Sequence, residues 1–129
     1  MVKISNNIIW RYLKMNKIVL VGRLVKNPIL TQCKNSEKCY TKFTIAVLRN
    51  FKTSSGERKS DFIPLVMWEK KAEIACEYLE KGDIISVGGK LITRTYEDNE
   101  KKRRYIIEVS VDDFRIIGKA KYNNINHNN

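Results

Sequence analysis

The sequence predicts a small all-β domain with one helix, of the Greek-key barrel class to which OB-type barrels belong. Most of the chain between residues 17 and 118 alternates apolar and polar residues with a period of two, and one segment has helical spacing instead. The length of 129 residues suggests a single domain, and no internal repeat is evident. Other small barrels fit the same pattern.

Four strands are predicted in the first half of the chain. Ile18, Leu20, Gly22 and Leu24 share one face of the first strand, and Phe43, Ile45 and Val47 share one face of the third. Asn27-Pro28 marks a turn, and KNSEK (34–38) and KTSSGERK (52–59) are polar connections. The predicted strands are KIVLVGRLV (17–25), ILTQC (29–33), YTKFTIAVLRNF (40–51) and SDFIPLVMW (60–68).

A helix is predicted over EKKAEIACEYLEKG (69–82). Ala72, Ala75, Cys76 and Leu79 fall at the spacing of one helical face. Gly82, which follows Lys81, is predicted as the C-terminal cap. We expect the helix to cover one end of the sheet.

The strand pattern resumes after the helix in DIISVGGKLITRTY (83–96) and YIIEVSVDDFRIIG (105–118), which the charged hairpin loop EDNEKKRR (97–104) connects. Two adjacent glycines, Gly88 and Gly89, interrupt the first of these strands. They indicate a bend, a bulge or a close approach of two backbones.

The two ends of the chain stand apart from this pattern. Residues 1–14 are predicted to be a loosely ordered extension from an upstream start codon, rather than an amphipathic arm or a source of Trp10 for a ligand. Residues 119–129 are Asn-rich and are predicted to be a short disordered tail. The domain itself is predicted to span residues 15–118.

The net charge of +11 is concentrated in the first half of the chain. Residues 1–60 hold 13 Lys and Arg against 2 Asp and Glu, whereas residues 61–129 hold 12 of each. A basic half-domain attracts polyanions, of which nucleic acid is the commonest. A generally basic proteome or a solubility surface would produce the same excess.

Metal binding, catalysis and membrane insertion are not predicted. The three cysteines are irregularly spaced and the only histidine is His127, so neither a disulfide framework nor a zinc site is expected. Asp112-Asp113 has no histidine or glycine-rich phosphate loop with it, so the chain is not expected to be an enzyme or to carry a cofactor. Without a signal peptide or a long apolar run, a cytoplasmic location is expected.

Aromatic rings and basic side chains alternate with the core residues of several strands, so they lie on the strand faces opposite the predicted core. Phe62 and Trp68 lie on the face of the fourth strand opposite Ile63, Leu65 and Met67. The next strand repeats the arrangement with Lys90, Arg94 and Tyr96, and Phe51 lies between Arg49 and Lys52.

This combination suits single-stranded nucleic acid, because bases stack on rings and phosphates pair with Lys and Arg. An RNA-binding barrel would use the same surface, because these residues do not reveal a preference for the 2′-OH. The same apolar faces would also suit contacts between subunits, and that alternative stays open.

Four blocks of this sequence resemble the bacterial-type single-stranded DNA-binding protein family. They are MNKIVLVGRLVKNP (15–28), FTIAVLRNF (43–51), SDFIPLVMWEKKAEIACEYLEKGDIISVGGKLITRTYED (60–98) and RYIIEVSVDDFRII (104–117). The resemblance implies an OB-fold, which is a five-stranded Greek-key barrel, usually assembled as a homotetramer. It implies binding of single-stranded DNA without sequence specificity, which protects the strand during replication, recombination and repair, and it implies no catalysis.

The resemblance also implies particular site residues. The four positions at which family members stack aromatic rings on bases match Phe51, Phe62, Trp68 and Tyr96. The basic positions carried over for phosphate contacts are Arg23, Arg49, Lys52, Lys70, Lys90 and Arg94. Cellular members of that family usually end in an acidic tip that recruits repair and replication proteins, whereas this chain ends YNNINHNN, so that recruitment is not expected and a phage, plasmid or truncated form fits better.

Overall fold

The computed structural model describes residues 11–33 and 37–120 of the chain. Six strands and one helix follow one another between residues 18 and 118. The strands are β1 (Ile18–Leu24), β2 (Leu30–Gln32), β3 (Cys39–Lys52), β4 (Arg58–Trp68), β5 (Ile84–Glu97) and β6 (Arg103–Gly118), and helix α1 (Glu69–Tyr78) connects β4 to β5. Every strand predicted from alternation is therefore present.

Five of the strands close into a barrel. Their order is β1-β5-β6-β4-β3, and pairing between β1 and β3 completes the ring. All pairs are antiparallel except β4 and β6, which run parallel with Leu65 beside Val109. β2 is a three-residue strand added to the edge of β3. A closed five-stranded barrel with a helix between its third and fourth strands is an OB-fold, as the family resemblance implied, and the other small barrels that the strand pattern left open are excluded.

The barrel interior is filled by the alternate residues that the sequence placed on core faces. Leu24 and Ile45 are paired across β1 and β3, and both are buried. Leu65, Val87 and Val109 come from three other strands and are almost completely buried. Because side chains alternate between the two sides of a strand, the remaining residues of each strand point outward.

Helix α1 buries Ala72 and Ala75 against the barrel, with Leu79 just beyond its end, as the predicted face required. It ends four residues earlier than predicted, and the expected cap at Gly82 is wrong. The backbone turns at Leu79, whose N–H still donates to the carbonyl of Ala75. Gly82 has φ +93° and lies in the following turn, where its N–H donates to the carbonyl of Leu24.

Two hairpin ribbons extend from the barrel. The β3–β4 ribbon (residues 48–60) ends in a turn closed by a hydrogen bond from the Thr53 N–H to the carbonyl of Glu57. The β5–β6 ribbon (residues 91–107) ends in a turn closed from the Asp98 N–H to the carbonyl of Lys102. At the base of the second ribbon the pairing register shifts between Gly88 and Gly89, which confirms the predicted irregularity.

Parts of the two predicted end segments and of one predicted polar loop fall outside the described residues. These are residues 1–10 of the extension, 34–36 of the polar loop and 121–129 of the tail. Lys119 and Ala120 are described, and both bind the buried carboxylate of Asp83. No helix in the described ranges is long and apolar enough to cross a membrane.

Candidate nucleic-acid interface

The outward-pointing side chains of the barrel strands form one continuous surface, here called the outer face. One row across it contains Arg23, Ala46 and Phe62, which are register neighbours on β1, β3 and β4. A second row contains Lys42, Val66, Ser110 and Lys90, on β3, β4, β6 and β5. Tyr40 and Trp68 are paired next to the second row, and Arg94 and Tyr96 continue along β5.

The four aromatic residues predicted to stack on bases are all exposed. The exposed fractions are 62% for Phe51, 65% for Phe62, 47% for Trp68 and 48% for Tyr96. Phe62, Trp68 and Tyr96 lie on the outer face, whereas Phe51 lies near the end of the β3–β4 ribbon. Large rings usually contribute buried area to a core, so their exposure here leaves them accessible to a ligand.

Three of the six predicted phosphate-binding cations share the outer face with these rings, namely Arg23, Lys90 and Arg94. Lys52 is exposed at the end of β3, where it pairs with Arg58. Lys70 lies on α1 rather than on the sheet, and its ammonium is 3.9 Å from the carboxylate of Glu73. The structure therefore brings three of the six predicted cations together on the outer face. The other three lie on the β3–β4 ribbon and on α1.

Arg49 is placed differently from the other predicted cations. Its guanidinium makes three hydrogen bonds of 2.8–3.2 Å to the carboxylate of Asp61. Asp61 is paired with Val47 and precedes Phe62, so the two side chains point to opposite sides of the ribbon. These hydrogen bonds hold the pKa of Asp61 below its usual value. A phosphate would have to compete with Asp61 to bind Arg49.

Two residues of the outer face were not predicted as site residues. The ring of Tyr40 lies 5.3 Å from the ring of Trp68, centroid to centroid, at an angle of 44°. The ammonium of Lys42 is 5.8 Å from the centroid of the Tyr40 ring. The signal was present in YTKF, where Tyr40 and Lys42 alternate with core residues in the same way as the predicted rings.

A buried acid, Glu108, also lies on the outer face and was not predicted to act there. The Nε of Arg94 donates to Glu108 Oε1 over 2.9 Å, and the Lys42 ammonium is 3.8 Å from Oε2. The predicted cation Arg94 and the unpredicted Lys42 are thus linked through one carboxylate.

The tip of the β5–β6 ribbon is organised by Asp98. Its carboxylate accepts hydrogen bonds from the backbone N–H groups of Glu100 and Lys102 and from the Nε of Arg104. The Arg104 bond is the main reason that the pKa of Asp98 is lower than usual. These hydrogen bonds therefore fix the backbone that carries the basic residues at the tip of this ribbon.

No group of three or more potential metal ligands occurs among residues 11–33 and 37–120. Cys39 is buried, and burial together with the nearby carboxylates of Glu73 and Glu69 raises the pKa of its thiol. A raised pKa favours the unreactive thiol over the thiolate. Asp112 and Asp113, the acids considered for catalysis, are exposed.

Comparison with known proteins agrees with the barrel fold. The model of the single-strand binding protein family matches residues 15–117. A single-stranded DNA-binding protein of Caldanaerobacter subterraneus is 43% identical over 103 residues, covering 80% of this chain and 68% of that protein. Single-stranded DNA-binding protein 1 of Clostridium acetobutylicum is 40% identical over 107 residues, covering 83% of this chain and 97% of that protein.

A third relative, the single-stranded DNA-binding protein of Clostridium tetani, is 40% identical over 103 residues, which cover 80% of this chain and 70% of that protein. The family match runs from just before β1 to residue 117, one residue before the end of β6. The chain belongs to the single-strand binding protein family.

Proposed function

We propose that residues 15–118 form a domain that binds single-stranded DNA without sequence specificity on the outer face of the barrel. The observation that carries this proposal is that Phe62, Trp68 and Tyr96 are exposed on the same face as Arg23, Lys90 and Arg94. Membership of the single-strand binding protein family supports the same ligand and a non-enzymatic role.

Base stacking on the exposed rings supplies the sequence-independent part of the affinity. Every base has a π-face, and each stacked base contributes about 1–3 kcal/mol. We assign stacking to Phe51, Phe62, Trp68 and Tyr96. Tyr40 extends this set because its ring contacts that of Trp68.

Phosphate contacts supply the salt-dependent part. Arg23, Lys90 and Arg94 lie among the rings, and Lys52 and Lys70 lie at the margins, where a strand leaving the face would pass them. Each phosphate neutralised releases counterions, so the affinity falls as salt rises. Arg49 takes part if a phosphate displaces Asp61.

We also propose that the chain assembles as a homotetramer. Val19 and Val21 are 80% and 50% exposed on the outward side of β1. In a monomer their apolar side chains stay in contact with water and contribute no burial free energy. The register of β1 with β3 covers only Arg23 and Leu24, so the preceding residues of β1 are not paired on that side. A sheet edge with apolar side chains is suited to contact between copies.

In the cell, the proposed role is to coat single strands exposed during replication, recombination and repair. The proposed location is the cytoplasm, on the DNA of a bacterial or phage-infected cell. Coating protects the strand because bases stacked on protein rings are not available for pairing or for attack.

The test is a titration of labelled oligo-dT, with the mass of the same sample measured by light scattering. We expect binding to oligo-dT that greatly exceeds binding to a duplex of the same length, that weakens as salt rises, and that involves a tetramer. Equal affinity for duplex and single strand at physiological salt would contradict the proposal. Competition between dT and rU oligomers tests whether RNA is the preferred ligand.

A further inference from the structure

Glu108 is an acid on the face to which we assign a polyanion. Glu108 is paired with Ile92 on β5, and Ile92 lies between Lys90 and Arg94 among the alternate residues that point outward. Glu108 therefore points outward as well. Its side chain is only 4% exposed. A carboxylate close to bound phosphates repels them and lowers the affinity for DNA, and its burial also costs free energy. A buried carboxylate here therefore needs a role that raises the affinity for DNA by at least as much.

The two cations that neutralise Glu108 come from opposite sides. Arg94 lies on β5, next to β6. Lys42 lies on β3, and its row neighbours are Val66 on β4 and Ser110 on β6, so its side chain crosses β4 to approach Glu108. Val66 is fully buried between them. The three charged groups thus span four strands.

The contact with Arg94 leaves the outer part of its guanidinium available. Only Nε of Arg94 donates to Glu108, and the terminal nitrogens have no partner among the described residues. The side chain remains 44% exposed. A guanidinium held through Nε keeps a fixed plane, and its remaining N–H groups match the geometry of a phosphate.

We propose that Glu108 is a positioning residue of the single-stranded DNA site, which holds Arg94 and Lys42 in place between Trp68 and Tyr96. The inference rests on the proposed function. Long cationic side chains lose rotamer freedom when a ligand orders them. Because Glu108 orders both cations before DNA arrives, the entropy loss on binding is smaller, which offsets the repulsion between its charge and the phosphates.

The test is a double-mutant cycle between Glu108 and Arg94, read out as oligo-dT affinity. Glu108→Leu removes both the charge and the acceptor in a side chain of similar size. In about 0.3 M salt, where long-range repulsion is screened, we expect binding to weaken about three- to tenfold. Arg94→Ala should weaken binding by at least as much, and the double variant should bind more tightly than the two single effects added together predict, because only the positioning of Lys42 is then left to lose.

The matched control is Glu77→Gln, which makes the same change in net charge on the exposed side of α1 and should leave the affinity unchanged. Circular dichroism and light scattering check that each variant folds and assembles. If Glu108→Leu does not fold, the cycle is run with Glu108→Gln, where a loss that is smaller in the Arg94→Ala background than in the unmodified protein supports the proposal.

Binding by Glu108→Leu as tight as that of the unmodified protein, or effects of the two substitutions that simply add, would overturn the positioning role. The same experiment separates this outcome from failure of the proposed function. If the unmodified chain does not bind oligo-dT, the proposed function fails; if it binds and the cycle is additive, only the role of Glu108 fails.

Discussion

Tyr96 and Tyr105 lie on opposite sides of the same β5–β6 ribbon. Tyr96 is paired with Arg104 on the outer face, whereas Tyr105 is paired with Thr95, one residue along and therefore on the other side. Tyr96→Ala should lower the affinity for oligo-dT by about 1–3 kcal/mol, because one stacked base loses its ring. Fluorescence anisotropy of labelled oligo-dT measures the change.

Tyr105→Ala is the matched control for this prediction. Tyr105 is 73% exposed and belongs to the same ribbon. Its replacement therefore reproduces any effect on DNA affinity that comes from removing an exposed ring from this ribbon rather than from losing a stacked base. We expect Tyr105→Ala to leave the affinity within experimental error. Equal losses in the two variants would show that the face of the ribbon does not matter.

Trp68 should report DNA binding through its own fluorescence. The chain contains two tryptophans, Trp10 and Trp68. In a Trp10→Phe background Trp68 is the only tryptophan and can be excited selectively over the tyrosines, and stacking of a base on its ring should quench its emission as oligo-dT is added. Saturable binding seen by anisotropy with unchanged Trp68 emission would remove this residue from the stacking set.

The Arg49–Asp61 pair should limit how much Arg49 contributes to phosphate binding. Asp61→Asn leaves Arg49 without its counter-ion, so the affinity at low salt should rise and the slope of log K against log salt should become more negative by about 0.7. Titrations at several salt concentrations measure both changes. Adding Arg49→Ala should abolish the gain, and an unchanged slope in Asp61→Asn would place Arg49 away from the DNA.

Asp83 should make the stability of the fold depend on acid pH. Burial raises the pKa of Asp83, but hydrogen bonds from the Ala120 N–H, the Lys119 ammonium and the Glu80 N–H outweigh burial, and the pKa lies below its usual value. The stabilising contribution is therefore complete above the unfolded pKa of about 3.9 and is lost as the pH falls through the folded pKa.

Asp83→Asn should lower the free energy of unfolding at neutral pH by roughly 1–3 kcal/mol, because an amide accepts fewer hydrogen bonds than a carboxylate. Urea unfolding at neutral pH and near pH 2.5 measures the effect, and the difference from the unmodified protein should shrink at the lower pH. Asp112→Asn, at an exposed position, is the control and should have no effect at either pH. A loss for Asp83→Asn that does not change with pH would contradict the assignment.

Gly89 should not tolerate a side chain. A Cβ at this position would overlap the backbone carbonyl oxygen of Ser110, which cannot move without breaking the pairing of β5 with β6. Gly89→Ala should lower the free energy of unfolding by about 1–3 kcal/mol, measured by urea unfolding. In the control Gly56→Asn, at φ +84° with no heavy atom within 4 Å of the added Cβ, the loss should be below about 1 kcal/mol.

The sequence by itself determined which segments are strands and which side of each strand is buried. Leu24, Ile45 and Leu65 are in the core because alternation is a local property of an extended chain, which any sheet preserves. The same periodicity identified Phe62, Trp68 and Tyr96 as outward-pointing rings. The end of α1 was predicted less well, because the turn after Tyr78 depends on contacts with Leu24 and Lys119.

Only the tertiary structure decided which outward-pointing residues are neighbours. Lys42 is far from Glu108 in sequence and meets it because β4 lies parallel to β6 within a closed ring of strands, whereas Arg94 and Glu108 meet within the β5–β6 hairpin. Arg49 was predicted as a phosphate contact from the family resemblance, but its partner Asp61 is set by the β3–β4 register. Register between distant strands depends on closure of the barrel and packing of its core, and no local pattern encodes it.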